Sequence, residues 1–172
     1  MIPPLDFSAN IRAQVATNCG TRSEMNTFQT DSSAATEAVA AEFAQGLTLG
    51  DVVLLSGDLG SGKTTFVRGA CRALGVTVPV TSPSYTVGNV YPGPIEIAHV
   101  DLYRLESGPA DLADEASLDD YLTPQRIGFV EWPRDQVDGR AEIYASVTIE
   151  HADGDRRLIT IKPIRHAQSE RS

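Results

Sequence analysis

The stretch DVVLLSGDLGSGKTTFVRGACRALG, Asp51 to Gly75, decides the fold. It opens on four consecutive apolar residues, Val52 to Leu55, the pattern of a short strand buried on both faces. It closes with Phe66, Val67, Ala70, Cys71 and Leu74 along one side of a helix that Gly75 terminates. Between them, Gly57, Gly62, Lys63 and Thr64 fit the spacing G-x-x-x-x-G-K-[ST]. Glycine at these points lets backbone N–H groups turn inward around phosphate oxygens without side-chain collision. The helix that follows adds the positive end of its dipole. Lys63 has the reach for β- and γ-phosphates, the Thr64 hydroxyl suits magnesium, and Thr65 falls near an α-phosphate. A bare glycine-rich turn would need neither the strand before nor the amphipathic helix after; a nucleoside triphosphate site needs both.

Such a loop requires an acid at the end of a neighbouring strand. Two apolar runs supply one each: IEIAHVD ends on Asp101 and IGFVE on Glu131. Ligands of open α/β sheets collect at these carboxyl ends of strands. Two acids predict divided labour, one for hydrated magnesium and one to orient or deprotonate the attacking water; spacing leaves open which does which. TSPSYT concentrates Thr81, Ser82, Ser84 and Thr86 in a loop after the helix, either an ordinary polar connector or a sensor of the γ-phosphate. His99 and Trp132 flank the two acids and, taken alone, read as packing residues.

Outward from this centre, helices alternate with apolar strands. Residues 1–30 are polar and aperiodic and predict a flexible leader, with Met25 as a candidate natural start. A helix is predicted from Ser33 to Gly46. Strands are predicted in TVGNVY and IEIAHVDLY around the turn Pro92–Pro94, and again in RIGFVEW, with acidic helix over Glu106–Tyr121. EIYASVTIE and RRLITIKP alternate with period two around Asp153-Gly154, a hairpin signal. The expected architecture is α/β: a small single-domain P-loop fold over 31–163, its mixed, mostly parallel sheet flanked by helices and ended by an antiparallel C-terminal hairpin, with a flexible tail over 164–172.

Composition narrows the function. With 172 residues, 41% of them hydrophobic and 22% charged, the chain suits one ordinary globular domain. No run of about 18 apolar residues is available to span a membrane. Cys19 and Cys71 lie far apart without metal-type spacing, which fits a reduced, cytoplasmic setting. A net charge of −9 argues against a stand-alone nucleic-acid binder. No N-K-x-D sequence occurs, which disfavours a GTP switch. Glu106 to Asp120 contains no arginine and many acids, a poor lid for a small-molecule kinase. That kinase and a nucleotide-gated scaffold are the alternatives to an ATPase.

GDLGSGKTTFVRG, TSPSYT, HVDLYRL and VEW, in this order, resemble the bacterial TsaE family, the ATPase subunit of tRNA threonylcarbamoyladenosine biosynthesis. The resemblance runs from about Thr30 to Ile161. It implies a P-loop ATPase that uses ATP and Mg2+, hydrolyses ATP weakly alone, and is a monomer when alone. It also implies work with TsaB- and TsaD-like partners and contact with tRNA only through that complex. The family's loop falls on Gly60, Ser61, Gly62, Lys63, Thr64 and Thr65. Its catalytic groups fall on Lys63, Asp101 and Glu131, its magnesium ligands on Thr64, Asp101 and Glu131, with Glu131 the stronger and Trp132 accompanying it. Ser82 and Ser84 fall on its nucleotide-sensing loop, and Thr36 on an adenine-side contact. Three departures stand out: Ser61 where the loop usually has Ala, Ser84 in place of Thr, and EASLDDYL without its expected glycine.

Overall fold

The computed structural model describes residues 25–83, 86–103, 118–133, 137 and 143–164. In chain order these form β1 (Asn26–Thr30), α1 (Ser33–Ala44), β2 (Val52–Ser56), α2 (Lys63–Ala73), β3 (Gly88–Tyr91) and β4 (Glu96–Asp101). They continue with α3 (Leu118–Tyr121), β5 (Arg126–Glu131), β6 (Ile143–His151) and β7 (Arg157–Pro163). One sheet runs β1-β7-β6-β2-β5-β4-β3. Its centre, β6-β2-β5-β4, is parallel; β7 and β1 add antiparallel strands at one margin, and β3 does so at the other.

The apolar run in β2 is continuous because both its faces are covered. Val53 and Leu55 enter the larger core with Phe66, Val67 and Ala70 of α2 and Val39 and Ala40 of α1. Val52 and Leu54 enter a second core with Val100, Leu102 and Val130, against which Leu118 and Tyr121 of α3 pack. α1 starts where the Ser32 hydroxyl accepts the Ala35 N–H at 3.2 Å. The two long helices meet at Gly69: a Cβ added there would lie 2.4 Å from the Glu37 carbonyl oxygen. Glu37 also binds Arg68 and Arg72 at 3.4 and 2.6 Å, but Arg72 is 69% exposed, so solvent leaves little stabilisation in that pair.

The expected leader over 1–30 is corrected at its end. Asn26–Thr30 is a strand in register with β7, from Asn26 opposite Ile161 to Thr30 opposite Arg157. NTFQT escaped the pattern because an edge strand exposes most of its side chains; of the five, only Thr30 is buried. The C-terminal hairpin forms as predicted, with Gly154 at φ 64° in its turn. At the start of the expected tail, the Ile164 N–H still donates to Tyr144 O at 3.0 Å. Residues 1–24, Ser84, most of the acidic helix predicted over Glu106–Tyr121, and 165–172 lie outside the described residues.

Candidate functional site

From the end of β2 the chain turns through Gly57–Gly62 into α2. Gly57, Gly60 and Gly62 have φ of 141°, 75° and 110°, a region side chains disfavour. Gly57 has a packing reason as well, since a Cβ there would sit 2.1 Å from the Ile149 carbonyl oxygen of β6. Above Gly60 and Gly62 the space is open: a Cβ on either meets nothing within 4 Å. Gly62 caps α2 without any side-chain hydrogen bond, so no capping side chain occupies the first N–H groups of the helix.

Lys63 folds across the loop. Its Nζ donates to Gly57 O at 2.8 Å and Asp58 O at 2.9 Å, and lies 4.3 Å from the centroid of the Trp132 ring. Burial pulls its pKa below the ordinary 10.5, against the opposing charges of Glu131, Asp101 and Asp58. Trp132 reaches this position with φ 56°, rare for a non-glycine residue. Its N–H is tied to Leu55 O at 3.0 Å, and its ring packs 5.0 Å from Tyr103.

The two acids end neighbouring strands, Asp101 directly opposite Glu131 in the β4–β5 register. The Thr64 hydroxyl donates to Glu131 Oε1 at 2.9 Å, and His99 Nε2 meets the same oxygen at 2.8 Å. His99 is fully buried, so its second nitrogen, Nδ1, is without a hydrogen-bond partner among the described residues. Nε2 carries the hydrogen in the contact, because the carboxylate accepts. Asp101 has different company: Oδ1 accepts the Tyr103 N–H at 3.0 Å, and Oδ2 accepts the Ser82 hydroxyl at 3.2 Å. Ser82 therefore ties the hydroxyl-rich loop to the end of β4. Thr81 and Thr86 serve the loop itself: the Tyr91 hydroxyl donates to Thr81 O at 2.7 Å, and Thr86 Oγ1 donates to Gly88 O at 3.0 Å.

On the other flank of the loop a cleft of about 390 Å3 opens between α1 and the β6–β7 hairpin. Thr36, Gly60, Ser61, Gly62 and Thr65 of the sequence-predicted set line it. Thr36 is nearly buried, its Oγ1 2.9 Å from that of Thr30. Arg157, which also lines the cleft, donates Nε to Ser61 O at 3.0 Å. The Ser61 hydroxyl is buried and has no partner among the described residues.

Lys63, Thr64, Glu131 and Asp101 thus meet at one end of the loop, while Thr36 and Thr65 stand at the other; Ser84 lies outside the described residues. Sequence reasoning missed His99 as a partner of Glu131, and missed Asp155 and Arg157 altogether. In β4 every residue from Ile97 to Val100 is buried, so alternation could not single out one histidine. Arg157 is 96 positions from Ser61, a contact that no local pattern announces.

A hydroxyl and a carboxylate beside an open glycine cradle fit a hard cation held jointly with phosphate oxygens. No cluster of three or more His, Cys, Asp or Glu able to hold a metal occurs among the described residues; magnesium shared with a nucleotide needs no such cage. No helix among them is long and apolar enough to cross a membrane.

Strand, glycine loop, helix and strand-end acids define an α/β protein of the P-loop class. A family model described as threonylcarbamoyl adenosine biosynthesis protein TsaE matches residues 30–159. The tRNA threonylcarbamoyladenosine biosynthesis protein TsaE of Bacillus subtilis is 35% identical over 130 residues, covering 75% of this chain and 80% of that one. Its namesake from Streptomyces coelicolor is 41% identical over 124 residues, covering 70% and 79%. The crystal structure of Bacillus subtilis YdiB superposes with a TM-score of 0.67 at 30% identity, covering 83% of this chain and 87% of that one. The chain belongs to the TsaE family.

Proposed function

We propose that this protein binds and hydrolyses Mg·ATP in the cytoplasm as the energy-supplying subunit of tRNA threonylcarbamoyladenosine synthesis, supporting repeated turnover of a TsaB–TsaD-type transferase. The single observation that carries the nucleotide reading is the Thr64–Glu131 hydrogen bond of 2.9 Å at the mouth of the glycine loop. It joins, across 67 positions of sequence, a hydroxyl and a carboxylate, the pair of groups that a magnesium site of this class uses. The family relationship supports the pathway, and a net charge of −9 fits a subunit that leaves RNA contact to its partners.

In this reading Thr64 and Glu131 would hold magnesium, which would supply neutralisation of charge on the β- and γ-phosphates. Lys63 exchanges its contacts with Gly57 O and Asp58 O for phosphate oxygens, and the N–H groups at the start of α2 take the rest of the phosphate charge. His99 holds the Glu131 carboxylate in place through Oε1. Asp101, tied to Ser82 rather than to Thr64, is left to orient the water that attacks the γ-phosphorus. Ser82 then couples the hydroxyl-rich loop to the state of the γ-phosphate.

The test is calorimetric titration with Mg·ATP, followed by a reconstituted tRNA-modification assay with the partner proteins. Lys63→Ala should abolish binding, and Glu131→Ala should impair hydrolysis more than affinity. Wild-type affinity in Lys63→Ala refutes the reading of the loop. Full multi-turnover support from a binding-competent, hydrolysis-dead variant would assign a nucleotide-gated scaffold instead.

A further inference from the structure

The hydroxyl-rich loop from Thr81 to Thr86 is tied at both ends to β3, the strand beyond β4 at the margin of the sheet. The tie at its start is a tyrosine hydroxyl. Tyr91 is 6% exposed, pairs with Ile97 of β4 and belongs to the larger core, so its ring is fixed. Its hydroxyl donates to Thr81 O at 2.7 Å and accepts the Thr81 N–H at 3.2 Å. The Asn89 side-chain amide donates to the same oxygen at 3.4 Å. One donor and two acceptor positions are all that this hydroxyl offers, and all three are used. At the other end, Thr86 Oγ1 donates to Gly88 O at 3.0 Å and lies 3.4 Å from Asn89 Oδ1.

The tyrosine clamp falls one residue before Ser82, whose hydroxyl donates to Asp101 Oδ2 at 3.2 Å. Val80 and Pro83 are buried, while Thr81 between them is exposed. Burial therefore fixes two points on the path of the chain and leaves the rotation of the intervening peptides open. The Tyr91 hydroxyl closes that freedom, because the Thr81 N–H and the Thr81 carbonyl belong to the two peptides that meet at this residue. Ser82 hangs from the second of them. Its bond to Asp101 has little slack, since hydrogen bonds weaken beyond about 3.2 Å. The Tyr91 ring also packs 6.3 Å from that of His99, a contact that phenylalanine would keep while losing the hydroxyl.

We propose that Tyr91 is a positioning residue for the water-orienting acid: its hydroxyl fixes the two peptides at Thr81, these aim Ser82, and Ser82 sets the Asp101 carboxylate. The inference rests on the hydrolytic reading above and adds the residue of β3 through which Asp101 is set.

The experiment compares wild type, Tyr91→Phe, Ser82→Ala and the double variant, each as the full chain, by two measurements. The first is amide hydrogen exchange read by NMR and needs no nucleotide. In Tyr91→Phe the Thr81 N–H should exchange about tenfold faster, the weight of one hydrogen bond, while the amides of β2 and β5 keep their wild-type rates. Wild-type exchange at Thr81 in this variant overturns the clamp. The second is steady-state hydrolysis of Mg·ATP. Tyr91→Phe and Ser82→Ala should each lower kcat by about tenfold and leave KM within about twofold. The double variant should be no slower than Ser82→Ala alone, because both residues act along one chain of contacts. Losses that multiply, an unimpaired single variant, or a defect of Tyr91→Phe confined to KM would each make Tyr91 a packing residue and overturn the proposal. In all of these cases wild-type hydrolysis leaves the nucleotide reading standing. Wild-type protein that turns over no Mg·ATP overturns that reading and this inference with it, whatever the exchange rates show.

Discussion

Replacing Gly69 by alanine tests whether the contact between α1 and α2 sets the position of the phosphate loop. The new Cβ would lie 2.4 Å from Glu37 O, 2.6 Å from Glu37 Cα and 2.9 Å from Glu37 C. All three are backbone atoms, so nothing can swing aside. Comfortable separations begin at about 3.5 Å, so the helices must part by about 1 Å. Overpacking of this kind costs about 1–3 kcal/mol, and a backbone obstacle puts Gly69→Ala at the upper end. Alanine in a helix interior returns about 1 kcal/mol, leaving a net loss of about 2 kcal/mol. In a chain of this size that lowers Tm by about 4–8 °C. Urea denaturation of wild type and variant, at equal m-values, measures it. Because α2 begins at Lys63, its retreat also stretches the 2.9 Å bond between Thr64 and Glu131, and Mg·ATP affinity falls with stability. Retained affinity in a destabilised variant would show that α1 is the helix that yields. A stability change below about 0.5 kcal/mol would refute the packing argument itself.

Substitutions at three further positions probe the site. Ser61→Ala removes a buried hydroxyl that has no partner among the described residues and should stabilise the protein by about 1 kcal/mol in equilibrium denaturation; a loss of stability would reveal a bond to this hydroxyl that the geometry lacks. Lys63 gives a signed dependence on pH. Its folded-state pKa lies below the ordinary 10.5, so in the interval beneath 10.5 the unfolded chain binds more protons and the stability of the folded state rises with pH. Compared with Lys63→Met between about pH 8 and 10.5, wild type should therefore gain relative stability as pH rises, and a flat or falling difference contradicts the burial argument. His99→Leu deletes the donor to Glu131 Oε1 and should lower ATP turnover about 10–100-fold with little change in KM. His99→Gln, which restores an N–H, should recover part of that loss, whereas equal defects in both variants would reduce His99 to a packing residue.

What the sequence made legible and what it hid divide along physical lines. β2, the loop and α2 could be read because each obeys a local rule: an apolar run, left-handed glycines, a helical stripe. Asp101 and Glu131 could be read as strand-end acids, but which hydroxyl each meets could not. Thr64 reaches Glu131 and Ser82 reaches Asp101 only after parallel pairing has set the two strand ends level. β1 hid because an edge strand of mostly polar residues has no period to detect, yet it reaches the cleft. Its last residue, Thr30, meets both Thr36 Oγ1 and, across the register, Arg157. The β1–β7 pairing therefore brings the strand next to α1 level with the hairpin that supplies Arg157, forming two walls of one cleft. The antiparallel margin is thus more than a cover for a sheet edge. Under the proposed function, the parallel P-loop core provides the phosphate cradle and its acids, and the strands added beyond β6 provide walls for whatever the phosphates are attached to. It follows that substitutions at this margin should alter nucleoside preference while leaving polyphosphate binding intact, and substitutions at Thr64 or Glu131 should do the reverse.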